Sequence, residues 1–200
     1  GFLIMPTFKR FFLIAVLLII PQLALAENWK IDPAHTAVEF KVKHLMVSWV
    51  KGTFTDVQGT AIVNDADHTK SSITVQIAAA SINTNNKKRD DHLRSPDFFD
   101  VTAHPAMSFV SREVLIADGK PVKVVGEMTI HGQTKPVTLA VEDFSQVVID
   151  PWGNTRRGAS LSTTINRKDF GLTWNKALEA GGVVVGDEVR ISLEVELIKE

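Results

Sequence analysis

Between residues 89 and 94 five ionisable side chains fall together: Arg89, Asp90, Asp91, His92 and Arg94. Helical spacing puts Asp90 and Arg94 on one face and Arg89 with His92 on another. Buried beside a substrate, such a group could move protons. Ion-pair networks imitate active sites, however, and the preferred reading is that these residues cap a short helix and tie it to its surroundings. Thr84, Asn85 or Asn86 supplies the N-cap, Asp90 and Asp91 complement the positive N-terminal end, Arg94 sits in the last turn, and Pro96 prevents continuation. A short helix is therefore predicted near residues 86–95. The remaining chemistry is sparse. The six histidines, His35, His44, His68, His92, His104 and His131, show neither His-x-His nor His-Glu-x-x-His spacing, so no metal site is expected. Neither a Gly-x-Ser-x-Gly elbow, a Walker loop nor a dinucleotide fingerprint occurs. No catalytic residue and no cofactor are assigned, and the chain is not expected to be an enzyme.

The elements around this helix read as strands, because beyond residue 28 the dominant period is two. Val38, Phe40 and Val42 alternate with Glu39, Lys41 and Lys43; Ile73, Val75 and Ile77 alternate with Thr74 and Gln76; Val189 to Leu197 alternates along its whole length. Further strands are predicted at about 53–63, 105–116, 121–130, 136–148 and 157–166, separated by turn residues such as Asp118-Gly119 and His131-Gly132. Short connections imply antiparallel pairing. Eight amphipathic antiparallel strands form either a sandwich or a barrel, and the pattern alone does not choose. The ends favour closure, since the long Val, Ile and Leu-rich last strand makes a poor exposed edge unless the first strand pairs with it.

Inward candidates are Phe40, Val42, Phe54, Val57, Val75, Met107, Phe109, Met128, Ile165 and Phe170, with Trp152 and Trp174 in turns that rim a mouth. Adjacent Phe98 and Phe99, in a segment read as extended, face opposite ways, one into the barrel and one under the helix. His44 continues the inward parity of Phe40 and Val42. It either meets a ligand near one end of a cavity or bonds to a neighbouring carbonyl in the core. Residue types alone leave open whether these positions line a cavity or fill a core.

The first 26 residues read as an export signal. Lys9 and Arg10 precede the apolar run Phe11 to Ile20, Pro21 breaks it, and Ala24-Leu25-Ala26 offers the small-x-small cleavage site. That run of ten residues falls short of the about 20 that a spanning helix needs, so no stable membrane span is expected. Residues 1–26 are thus predicted to be a signal peptide cleaved after Ala26, leaving 27–200 as one exported domain. Removing Lys9 and Arg10 and no acid turns 22 basic against 23 acidic residues into 20 against 23, a net charge of −3. With no basic stripe, nucleic acid is not an expected partner. The absence of Cys excludes a disulfide framework.

Four stretches carry a family resemblance. Arg89-Asp90-Asp91-His92-Leu93 running on to Asp97-Phe98-Phe99-Asp100, the block His44 to Phe54, Thr129 to Val137, and Asn166-Arg167-Lys168-Asp169-Phe170-Gly171 together resemble the YceI-like proteins, periplasmic lipid-binding proteins of bacteria. The resemblance runs from Trp29 to the C-terminus. Two departures stand out: Met46 where the family usually has Gly, and Trp29 where it commonly has Tyr. It implies an all-β, eight-stranded antiparallel, lipocalin-like barrel holding an isoprenoid such as an isoprenoid quinone, or another long-chain lipid. The tail would lie against Phe40, Phe54, Phe109 and Phe170, and the head near a mouth close to His44 or Arg167. Two alternatives stand beside this binding role: an envelope enzyme acting on such a lipid with His44 or His92 as base, and a structural module with a filled core. A homodimer is also possible on the sequence alone.

Overall fold

The computed structural model describes residues 26–179 and 181–200, so the expected export signal lies outside the described residues except for Ala26. The alternating runs form strands β1 (Glu27–Ile31), β2 (Ala37–His44), β3 (Ser48–Phe54), β4 (Val57–Val63), β5 (Ser72–Ala78), β6 (Ile82–Asn83), β7 (Ala106–Ala117), β8 (Lys120–Ile130), β9 (Gln133–Phe144), β10 (Val148–Ile149), β11 (Thr155–Asn166) and β12 (Val185–Lys199). One helix, α1 (Lys87–Arg94), is inserted between β6 and β7. The predicted helix is therefore present, and Asn86 is its N-cap, its side chain accepting from the Arg89 amide.

Corners break three of the long strands without changing their course. β1 and β2 pair with successive parts of β12, from Trp29 opposite Lys199 to Val42 opposite Val189. On their other side β4 pairs with β1 and β3 with β2, and then β5 with β4 and β6 with β3. Counted as continuous staves, β1/β2, β3/β4, β5/β6, β7, β8, β9, β11 and β12 make a ring of eight antiparallel neighbours, closed by β12 against both β11 and β1/β2. The barrel is the one predicted, closed as the uncovered edge of the last strand demanded. β1 and the separate β3 were not predicted: the expected strand over 53–63 joins the end of β3 to β4 across the Thr55-Asp56 corner.

Two tight hairpins show why their sequences turn where they do. Asp118 and Gly119 join β7 to β8 with φ of 50° and 74°, and His131 and Gly132 join β8 to β9 with φ of 49° and 71°. Both centres lie in the left-handed region that two-residue hairpins of right-twisted strands require. The β2–β3 turn also enters that region, at Leu45 with φ 51° and Met46 with φ 61°. A glycine at position 46 would take this backbone conformation without strain.

The end of the barrel bearing α1 and the β2–β3 turn is called the upper end. At the lower end Trp29 is fully buried among Ile31, Ala61, Val63, Val195 and Leu197. The Arg157 guanidinium lies over the Phe144 ring at 4.6 Å and the Trp29 ring at 5.8 Å and pairs with Asp65 at 2.6 Å. These side chains plug that end.

Candidate functional site

Inward-facing residues of the staves leave a cavity of about 180 Å³ between the lower plug and α1. Its exposed inner surface is apolar, although Thr36, Glu39, Ser108 and Arg167 are among the residues around it. Phe40, Val42, Phe54, Val57, Val75, Met107, Phe109, Met128 and Ile165 line it from the strands, as their parity implies, and Phe98, Phe99 and Arg167 line it from the upper cover. Sequence reasoning did not single out Ile73, Ile77, Leu139, Leu161, Val189, Ile191, Leu193 and Val195, which also line it. The signal was available for Ile73, Ile77 and the β12 positions, which sit on the dry faces of strands already recognised.

Glycine shapes this wall at two places. A Cβ on Gly52 would lie 2.6 Å from Phe40 Cε1, and one on Gly126 would lie 2.8 Å from Phe109 Cε2. Each phenylalanine thus lies flat across a glycine instead of projecting into the space. Phe40 in turn stacks at a tilt on Phe54 with centroids 5.6 Å apart, and Phe54 meets Phe99 edge to face at 5.8 Å.

Four predicted positions are placed elsewhere. His44 does not point into the cavity: β2 ends there, opposite Ser48 and Val185, and the side chain is exposed beyond the last lining residue of its strand, Val42. Trp152 rims no mouth, being exposed in the β10–β11 turn at the plugged lower end, where Asp150 accepts from its amide. Trp174 lies outside the wall, packed on Phe98 at 5.2 Å and His92 at 4.9 Å. Phe170 is buried in the core without lining the cavity. Phe98 and Phe99 also depart from the extended reading. Amides of Phe98 and Asp100 bond to the Ser95 carbonyl, so the segment is a turn, and both rings reach the cavity instead of facing opposite ways.

The charged block is the fastening of the cover. Asp90 Oδ1 accepts from the Thr84 amide at 2.9 Å and the Thr84 hydroxyl at 2.5 Å. Arg89 donates to the Thr84 hydroxyl and carbonyl at 2.7 and 2.9 Å, and Arg94 to the carbonyls of Ala80 and Ile82 at 2.8 and 2.7 Å. The helix is thereby bound to β6 and the turn before it, and Leu93 on its underside meets the cavity. His92 bonds to Asp97 at 2.8 Å, away from the wall.

Arg167, in the short 3₁₀ turn after β11, is the buried cation of the upper end. It donates to the carbonyls of Gly186, Leu172 and Trp174, with Asp187 at 3.4 Å as its carboxylate. Burial pushes its pKa down and Asp187 opposes that push. Because backbone carbonyls occupy its strongest donors, it offers a ligand a positive field more than a hydrogen bond.

Among the described residues, two clusters of possible metal ligands emerge that sequence spacing hides. Asp32, His35 and Glu196 converge outside the barrel, but Arg156 occupies the carboxylates, at 2.7 Å from Asp32 and 2.5 Å from Glu196. Asp100, His104 and His131 bring three ligand atoms within 4.8 Å of one another, from segments about 30 residues apart, with the imidazole centroids 4.5 Å apart.

Comparison with known proteins agrees with this architecture. The YceI-like domain model matches residues 29–197. A UPF0312 protein of Staphylococcus epidermidis is 42% identical over 172 residues, covering 84% of this chain and 96% of the relative. The crystal structure of the Campylobacter jejuni YceI protein superposes with a TM-score of 0.67 at 31% identity, covering 80% of this chain and 91% of that one. A polyisoprenoid binding domain from Saccharophagus degradans has the same fold, with a TM-score of 0.60 at 14% identity, covering 86% of this chain and 98% of that one.

Proposed function

The chain belongs to the YceI-like family, its match running over residues 29–197, and from that membership and its cavity we propose that it is a non-catalytic carrier or store for one isoprenoid or similar long-chain lipid. The observation that carries this reading is the cavity of about 180 Å³ inside the barrel, whose inner surface is apolar. An apolar cavity of about 150 Å³ stays dry and takes up benzene, so a space of this size and surface suits hydrocarbon. Burial of each methylene from water contributes about 0.8 kcal/mol. A prenyl tail is therefore held by transfer free energy without a dedicated polar partner. The Saccharophagus domain described as polyisoprenoid binding supports the ligand class. An isoprenoid quinone fits the charge pattern: tail among Phe40, Phe54 and Phe109, head toward the positive field of Arg167.

Catalysis by the candidate bases has no support in this geometry, since His44 and His92 both lie off the cavity wall. The charged, apolar and Ala-x-Ala order of the first 26 residues argues for export, and with the family membership it supports the reading of a periplasmic carrier.

The test is a titration of delipidated protein with an isoprenoid quinone, read by tryptophan emission. Trp174 sits against Phe98 of the cavity wall, so bound quinone quenches it in a saturable way. Phe40→Lys, which places an unpaired charge in the apolar space, abolishes the quenching while a melting curve shows the protein folded. Saturable quenching that persists in folded Phe40→Lys would put the lipid elsewhere, and absence of quenching by any prenyl lipid would leave a structural module.

A further inference from the structure

The tip of the β2–β3 hairpin holds Leu45, Met46 and Val47, exposed to 36%, 53% and 77%. Three consecutive exposed apolar residues contribute nothing to a core, and in a water-soluble domain such a run is a fault unless it is used. Two of the three also sit at positive φ, 51° at Leu45 and 61° at Met46, where non-glycine residues are strained. The chain thus maintains a projection that is unfavourable both in solvation and in backbone.

Cations gather directly beneath it. On the outer face, the Trp49 ring has Lys43 Nζ at 4.6 Å, Arg190 Cζ at 4.7 Å and Lys41 Nζ at 5.6 Å from its centroid. Lys51 stands opposite Lys41 in the β2–β3 register. Among the described residues none of these four cations forms a salt bridge; the acids nearest in register are Glu39 on β2 and Asp187 and Glu188 on β12, of which Asp187 is paired with Arg167 and Lys168. In a chain of net charge −1 this is a local excess of positive charge. An apolar tip, an amphipathic tryptophan behind it and unpaired lysines and arginine around that ring are what the boundary of an anionic bilayer accepts: acyl chains, headgroup level and lipid phosphates in that order.

We propose that the β2–β3 hairpin docks the barrel on an anionic phospholipid surface, with Leu45, Met46 and Val47 in the headgroup and acyl boundary. The location gives the contact a use. The cavity wall ends at Val42 and Val185, and His44 pairs with Val185, so a docked tip holds the upper end of the cavity against the lipid. Docking itself stands on the hairpin alone; its use in loading a prenyl lipid rests on the binding reading above.

Flotation with vesicles tests this. The full chain without its signal floats with vesicles of phosphatidylethanolamine and phosphatidylglycerol, and poorly with phosphatidylcholine alone, and raising the salt releases it. Val47→Asp lowers the partition about tenfold or more by removing apolar contact, and Lys43→Glu lowers it about fivefold or more, the effect of one surface cation. Both variants melt as the parent does and still show quinone quenching in detergent, which separates failure of docking from failure of lipid binding. No flotation, equal flotation on the neutral vesicles, a Val47→Asp protein that floats like the parent, or a hairpin that cross-links to a protein instead of lipid would each overturn the proposal.

Discussion

Gly52→Ala tests whether empty space in the barrel is what binds. Phe40 lies across Gly52 in the cross-strand position, and the new Cβ would sit 2.6 Å from Phe40 Cε1 and 2.9 Å from Thr84 Cγ2. The ring has strand backbone behind it and Phe54 beside it, so its free direction is inward. A phenyl group fills most of a cavity of about 150 Å³, against the about 180 Å³ present. The ligand then loses room for two or three methylenes, about 2 kcal/mol, or about thirtyfold in affinity. Overpacking also destabilises the fold by about 1–3 kcal/mol, so quinone quenching is titrated at a temperature where the melting curve shows the variant folded. Phe40→Leu added to Gly52→Ala returns the space and recovers most of the affinity. Wild-type affinity in folded Gly52→Ala, or no recovery in the double variant, would refute the link between this cavity and the ligand.

Asp90→Ala leaves the Thr84 amide and hydroxyl without their buried carboxylate; it should lower stability by about 3 kcal/mol, seen as a fall in Tm, with quinone affinity unchanged once folded. Asp32 is held down to about 2, from 3.8, by bonds from His35 and then Arg156, so it stabilises the fold above the unfolded pKa by about 2 kcal/mol. Asp32→Asn should therefore be less stable at neutral pH by that amount, and denaturant midpoints should show the gap closing as pH falls from about 4 to about 2, because protonation removes the same interaction from the parent. Met46→Gly relieves a left-handed residue and should raise stability by about 1 kcal/mol, while weakening partition onto anionic vesicles, read in the same flotation series.

The staves were legible wherever one face is wet and one dry. β2, β5 and β12 show strict alternation, and the exposed apolar edge of β12 implied the closure that its pairing with β1 and β2 provides. β1 is five residues of which Trp29 and Ile31 face inward, too short a run to show a period. β3 was hidden because Gly52 occupies an inward position that its pattern would otherwise mark with a side chain. Parity placed Phe40 and Val42 correctly and failed at His44, since alternation says which way a side chain points but not where the cavity stops. Phe98 and Phe99 failed for a related reason: period two holds only in extended backbone, and Pro96 and Ser95 turn the chain there. The meeting of Asp100, His104 and His131 depends on two turns from different parts of the chain, which no local spacing encodes.

Closure by β12 also sets an order of events during folding. The β7–β8 and β8–β9 pairs zip from two-residue turns, whereas Val38 finds Leu193 only across nearly the whole domain. The chain entropy of bringing such distant residues together is about 4 kcal/mol, growing only with the logarithm of the separation, and non-local pairing of this kind is slow. Until the fifteen residues of β12 arrive, β11 and β2 lack the partner that completes the ring, and the cavity-facing side has no closing strand. A chain emerging N-terminus first therefore keeps its cavity-facing surface uncovered until the last strand is delivered, and an apolar molecule present at that moment can be enclosed without passing through the cover at all.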